Sequence, residues 1–206
     1  IVVLDLSFNL IVNLKSSDFV NFRNSRLTWL NLGNNQLSHL DCGLFDYLPF
    51  LRFLFFENNF IRTIEKGCFA KLNNLLVINL NHISFKEINI ENNLFQNINR
   101  NLRVLNLRRT SLDGLKYFHL SQILELDLSE NHVPLNIYHQ IPFKHATKLI
   151  LSDIRLNKSL KFFNMNNNTR LAELDLSKNS IDYDTFYFLR SSLNLASLNL
   201  ADTNLT

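Results

Sequence analysis

One eleven-residue pattern, LxxLxLxxNxL, recurs along the whole chain and leaves little freedom in how it can fold. Its clearest copies are LTWLNLGNNQL at 27–37, LRFLFFENNFI at 51–61, ILELDLSENHV at 123–133 and LAELDLSKNSI at 171–181. Looser copies start at Ile1, Leu75, Leu102, Ala146 and Leu195, which makes nine. The third anchor falls at Leu6, Leu32, Phe56, Leu80, Leu107, Leu128, Leu151, Leu176 and Leu200, at intervals of 21 to 27 residues. Leu residues two apart lie on one side of an extended segment, and the residues between them lie on the other. A single such unit cannot bury its Leu side alone. Stacking the units into parallel strands buries it continuously, so the expected architecture is a solenoid of about nine coils.

The pattern resembles the leucine-rich repeat family over essentially the entire chain. That resemblance implies an α/β solenoid, a horseshoe with a concave parallel β-sheet and convex segments of short turns or 3₁₀ pieces. In the first three coils the strand is followed by a recurring apolar set: Leu14, Phe19 and Phe22; Leu40, Phe45 and Leu48; Ile64, Phe69 and Leu72. Phe95 continues the Phe series, so an aromatic spine is expected beneath the convex face. A repeat of about 24 residues with this Phe-bearing segment resembles the extracellular "typical" subclass, as in Toll-like receptors or related invertebrate immune and adhesion ectodomains. The Asn of each repeat is expected to pair with otherwise unpaired backbone groups at the strand exit. That ladder reads Asn9, Asn35, Asn59, Ile83, Thr110, Asn131, Ile154, Asn179 and Thr203. Ile offers no hydrogen bond, so the fourth and seventh coils are expected to be locally irregular.

The composition fits an array: 41 Leu feed one elongated core, whereas only five of the 31 Asn belong to the ladder. A 46% hydrophobic content excludes a disordered chain, and no run of about 18 apolar residues is present to cross a membrane. Residues 1–206 are expected to form one array, an uncapped section of a larger ectodomain, because solenoids need polar terminal units. The four Gly form no phosphate-binding loop or nucleophile elbow, and the six His form no metal-binding motif. Neither catalysis nor a cofactor is expected. Asp5, Asp127 and Asp175 recur in an LDLS context and read as solvent-facing strand positions.

Strand order turns the outward residues into a map of the concave face. Trp29, Phe53, Phe55 and Val77 fall on neighbouring strands about 4.8 Å apart and should form one apolar patch, rimmed by Glu57, Asn81 and Arg108. Aromatic area of this kind on a wetted face has the composition of a binding hot spot. The expected function is therefore recognition of a macromolecular ligand, a protein first, or of a homo- or heterodimer partner. Cell adhesion or matrix spacing through homophilic contacts is the alternative, with a cytosolic scaffold further behind. Arg100, Arg103, Arg108 and Arg109 form a basic cluster that nucleic acid could use, but a net charge of +3 argues against that partner. Glu125, Lys148 and Glu173 alternate in sign on adjacent strands, a weak electrostatic ladder at most. Three sequons, at Asn157, Asn167 and Asn204, permit N-glycosylation in the secretory pathway, although Asn204 is expected to be hidden beside an inward Leu. Cys42 and Cys68 occupy nearly equivalent positions of adjacent convex segments. A disulfide is geometrically possible there, but two buried small hydrophobes are the expected state.

Overall fold

The computed structural model describes residues 1–62, 64, 67–84, 101–112, 122–133, 145–156, 170–182, 189 and 194–205. Among the described residues nine three-residue strands form one parallel sheet in chain order: β1 (Val3–Asp5), β2 (Trp29–Asn31), β3 (Phe53–Phe55), β4 (Val77–Asn79), β5 (Val104–Asn106), β6 (Glu125–Asp127), β7 (Lys148–Ile150), β8 (Glu173–Asp175) and β9 (Ser197–Asn199). The register aligns the repeats residue for residue, for example Trp29 with Phe53 and Phe53 with Val77. This is the solenoid that the Leu periodicity dictates.

Leu30, Leu54, Ile78, Leu105, Leu126, Leu149 and Leu174, the middle residues of the seven inner strands, are all buried. The third anchors from Leu32 to Leu176 are buried with them. β1 and β9 each have one strand neighbour, and their inward residues Leu4 and Leu198 stay partly exposed. On the convex side Ser16–Phe22 and Cys42–Tyr47 are 3₁₀ helices. Phe19, Phe45 and Phe69 are buried as a spine, and the Phe45 and Phe69 rings lie 5.7 Å apart. Phe95 lies outside the described residues.

Four of the five ladder amides bridge two coils, and Asn9 bonds only within its own. Asn59 donates from Nδ2 to the carbonyls of Leu32 in the previous coil (2.9 Å) and Phe56 in its own (2.9 Å), while its Oδ1 accepts from the Leu37 amide. Asn35, Asn131 and Asn179 do the same one or more coils along. In the seventh coil the exit turn carries a second left-handed residue, Arg155 (φ 56°), which the Asn-bearing coils lack, whereas no irregularity is found in the strands at Ile83 or Ile154. Both side chains are buried in the core, and β4 and β7 keep the common register. In the seventh coil the amide of the following coil substitutes, since Asn179 Oδ1 accepts from Ile154 N and Leu156 N at 3.1 Å each. The convex stretches 85–100 and 157–169 lie outside the described residues.

A second polar column, which the sequence pattern alone did not separate from the solvent-facing residues, ends the strands. Asp5, Asp127 and Asp175 each accept from the backbone amide and the hydroxyl of the Ser two residues on. Asn31, Asn79, Asn106 and Asn199 accept the equivalent amide. These are Asx turns, which draw the chain out of the strand. The residue before each ladder position then takes a left-handed conformation, from Phe8 (φ 54°) to Asp202 (φ 56°), in all nine coils. Asn34 and Asn58 fill two of those places, a conformation Asn tolerates better than most residues.

The cysteine expectation is corrected as well: Cys42 and Cys68 are bonded. Their Cα atoms lie 4.9 Å apart, because stacking places the start of the second convex helix against the turn of the third coil. Cys68 is buried, but Cys42 sits at the edge of the core rather than inside it.

Candidate functional site on the concave face

Because side chains alternate along a strand, the residues flanking each buried Leu project onto the concave face. Trp29, Phe53, Phe55 and Val77 meet there as expected, and each is half-buried. Trp29 reaches diagonally across to Phe55, with ring centroids 5.3 Å apart and planes tilted by 47°. Such a pair is a favourable aromatic geometry. Phe53 carries the Arg52 guanidinium 6.0 Å from its ring centroid. The four residues thus cover one another in part and still present ring area to solvent.

Of the three rim residues, Glu57 alone joins the patch. Its carboxylate folds back over Gly33 in the previous coil, where a Cβ on Gly33 would lie 2.5 Å from Glu57 Oε1. A side chain at that position would displace the Glu57 carboxylate from this place. Glu57 Oε2 is shielded from water and has no hydrogen-bond donor among the described residues. Burial pushes the Glu57 carboxyl above the usual carboxylate range, and the nearby Asp5 charge adds to that. Asp5 itself is held below its ordinary value by the Ser7 hydroxyl and amide, with help from Asn31. Asn81 and Arg108 stand apart from the patch. Asn81 Oδ1 accepts from the Arg108 backbone amide at 3.0 Å, and the Arg108 guanidinium turns away to Glu130.

That turn accounts for the basic cluster. Arg108 and Arg109 share the Glu130 carboxylate, Arg109 from the other side at 3.1 Å, and hold Glu130 well ionised. Arg103 packs half-buried, with a bond from Nη1 to the Leu102 carbonyl, and Arg100 lies outside the described residues. Within the cluster Glu130 thus offsets one of the two charges that Arg108 and Arg109 carry. His82 joins it at the exit edge, with Nε2 3.3 Å from Arg109 Nη1. Burial first, then the two Arg, lower its proton affinity. His82, Arg109, Ser111, Glu130, His132 and Arg155 line a polar pocket of about 430 Å³ there. These residues occupy positions just before and after the ladder, which a reading confined to outward strand positions passes over. The alternating charges are realised only as Lys148–Glu173, at 2.6 Å and solvent-exposed, a type of pair contributing about 0–1 kcal/mol.

Asn157 and Asn167 lie outside the described residues. Asn204 is exposed, against expectation, because its left-handed backbone (φ 47°) turns it out of the exit bend. Among the described residues no helix is long and apolar enough to cross a membrane, and no group of three or more His, Cys, Asp or Glu is placed to hold a metal ion.

Repeat pattern and fold together define the class: the chain is a leucine-rich repeat solenoid. No protein-family model matches it. Among curated proteins it is similar to keratocan of Gallus gallus, 26% identical over 202 residues, covering 85% of this chain and 56% of keratocan. It is also similar to osteomodulin of Bos taurus (29% over 131 residues, 59% of this chain and 29% of that protein) and to chaoptin of Drosophila melanogaster (26% over 132 residues, 64% and 10%). The chain thus spans about half the length of keratocan and less of the other two. Among solved structures the fold is shared with Toll in the Toll–Spatzle complex, a hub in Drosophila development and innate immunity (TM-score 0.67, 23% identity, 95% of this chain and 29% of that one). The leucine-rich repeat domain of APL1B shares it over 100% of this chain and 65% of that chain (TM-score 0.68, 20% identity).

Proposed function

We propose that this chain is a non-enzymatic recognition section of an extracellular leucine-rich repeat protein, of the innate-immune receptor type, and that it binds a protein ligand through its concave face. The observation that carries the reading is the Trp29–Phe55 pair with Phe53 and Val77 on a sheet face whose other outward positions are mostly polar or charged. Rigid aromatic area loses little side-chain entropy on binding and contributes much of the energy at protein interfaces. The Toll–Spatzle structure supports it to the extent that the same solenoid there takes part in a protein complex. A net charge of +3, with Glu130 offsetting part of the arginine cluster, makes nucleic acid a poor partner.

Homophilic adhesion uses the same patch and differs in its partner. Size-exclusion chromatography with light scattering separates the two. The recognition reading predicts a monomer at micromolar concentration whose mass does not change with Phe53→Ser plus Phe55→Ser. A dimer that the double variant dissociates would transfer the patch to self-association and overturn the reading.

A further inference from the structure

The first four coils present twelve outward residues on the concave face, and only two of them are ionisable: Asp5 and Glu57, both acids. They bracket Asn31 and Gly33 and adjoin the Trp29–Phe55 ring pair. Acid beside aromatic faces is a combination that recognises a cation, because a ring face carries negative quadrupole charge and a carboxylate supplies acceptors. The patch already shows this chemistry in miniature, with the Arg52 guanidinium over the Phe53 ring. Glu57 also has an unmet requirement, an Oε2 shielded from water without a donor. An unpaired buried carboxylate oxygen is costly, and an arriving charge-assisted donor relieves that cost.

We propose that this corner of the concave face is a receptor for an arginine side chain presented by the protein partner, with the guanidinium stacked on Trp29 and Phe55 and paired with Glu57. The inference rests on the recognition reading above and adds the chemistry of the ligand. Arg is preferred to Lys because a planar guanidinium stacks on rings and offers a two-pronged set of donors to a carboxylate. The last torsion of a Glu side chain turns at little cost, so Glu57 can present an oxygen to the incoming donors. Asp5 is committed to Ser7 and Asn31 and contributes long-range attraction rather than direct pairing.

Trp29 is the sole Trp of the chain, so its emission reports this corner directly. The test titrates the purified chain with a capped Gly-Arg-Gly peptide and with its citrulline counterpart, which keeps the planar shape and loses the charge. The expected result is a saturable change in Trp29 emission with the Arg peptide and an affinity about tenfold lower for citrulline. Glu57→Gln, nearly isosteric and checked for an unchanged circular dichroism spectrum, should bring the two peptides to within about twofold. Equal affinities in the wild type, or no response to either peptide, overturn the arginine receptor and leave the recognition reading standing. Protein-partner capture that survives loss of Trp29 and Phe55 overturns the recognition reading itself.

Discussion

Asn179→Leu is expected to lower the unfolding free energy by about 3–9 kcal/mol, although the two side chains have the same number of heavy atoms and the same branching. The Asn179 amide makes five hydrogen bonds: Nδ2 to the carbonyls of Leu151, Leu176 and Ser177, and Oδ1 from the amides of Ile154 and Leu156. All five partners belong to buried residues. The seventh coil has Ile154 at its own ladder position, so among the described residues Asn179 is the one ladder amide at that junction. Removing it leaves two buried N–H groups and at least one carbonyl unpaired, at about 1–3 kcal/mol each. Against a total of about 5–15 kcal/mol for a domain, that is enough to detach the coils beyond β7 rather than merely weaken them. Urea unfolding followed by circular dichroism should show a second, early transition. Asn9→Leu is the control, since Asn9 is exposed and bonds only within its own coil, to Leu6 and Ser7; its cost should stay under about 1 kcal/mol.

Breaking the Cys42–Cys68 bond is the second large effect. The bond closes a chain segment with a sequence separation of 26 residues, and the chain-entropy account gives about 3–4 kcal/mol for a loop of that size. It joins the convex segments of the second and third coils, where Phe45 packs on Phe69 and where β2 and β3 carry Trp29, Phe53 and Phe55 on the opposite side. The crosslink thus holds together the two coils that present the aromatic patch. Cys42→Ser with Cys68→Ser is expected to lower the urea midpoint and to remove its dependence on reductant. A midpoint that reductant leaves unchanged in the wild type would contradict the crosslink's contribution.

The fold was legible because its determinants repeat. One Leu fits a core by chance, but nine aligned sets fix the strand register, the inward face and the outward columns, and the register agrees at every strand. The ladder bonds follow from one Asn per coil for the same reason. What did not repeat was harder to read. Ile83 and Ile154 break the ladder, and a pattern that reads each coil alone cannot show that the next coil's amide covers the gap at Ile154. The disulfide depends on a Cα separation that two-residue offsets in convex turns decide, and spacing does not specify that. In the site, the aromatic cluster came from strand order, but side-chain direction did not. Glu57 leans back over Gly33 and enters the site, whereas Arg108 leans forward to Glu130 and leaves it. The Asx-turn column was hidden because Asp and Asn at solvent-facing positions look alike whether or not they cap a strand. It gives Asn31, Asn79, Asn106 and Asn199 a structural role beyond the ladder.

The central claim is that the half-buried aromatic patch exists for a partner and not for the sheet. The most direct measurement compares the wild type with Trp29→Ser plus Phe55→Ser in one preparation, by thermal unfolding and by capture of a protein ligand from an array of purified secreted proteins. The account predicts a cooperative melt and an unchanged circular dichroism spectrum in both, with binding lost by at least about tenfold in the variant. A variant that unfolds would assign both rings to holding the strands together, and a variant that folds and binds as well as the wild type would place recognition elsewhere on the solenoid.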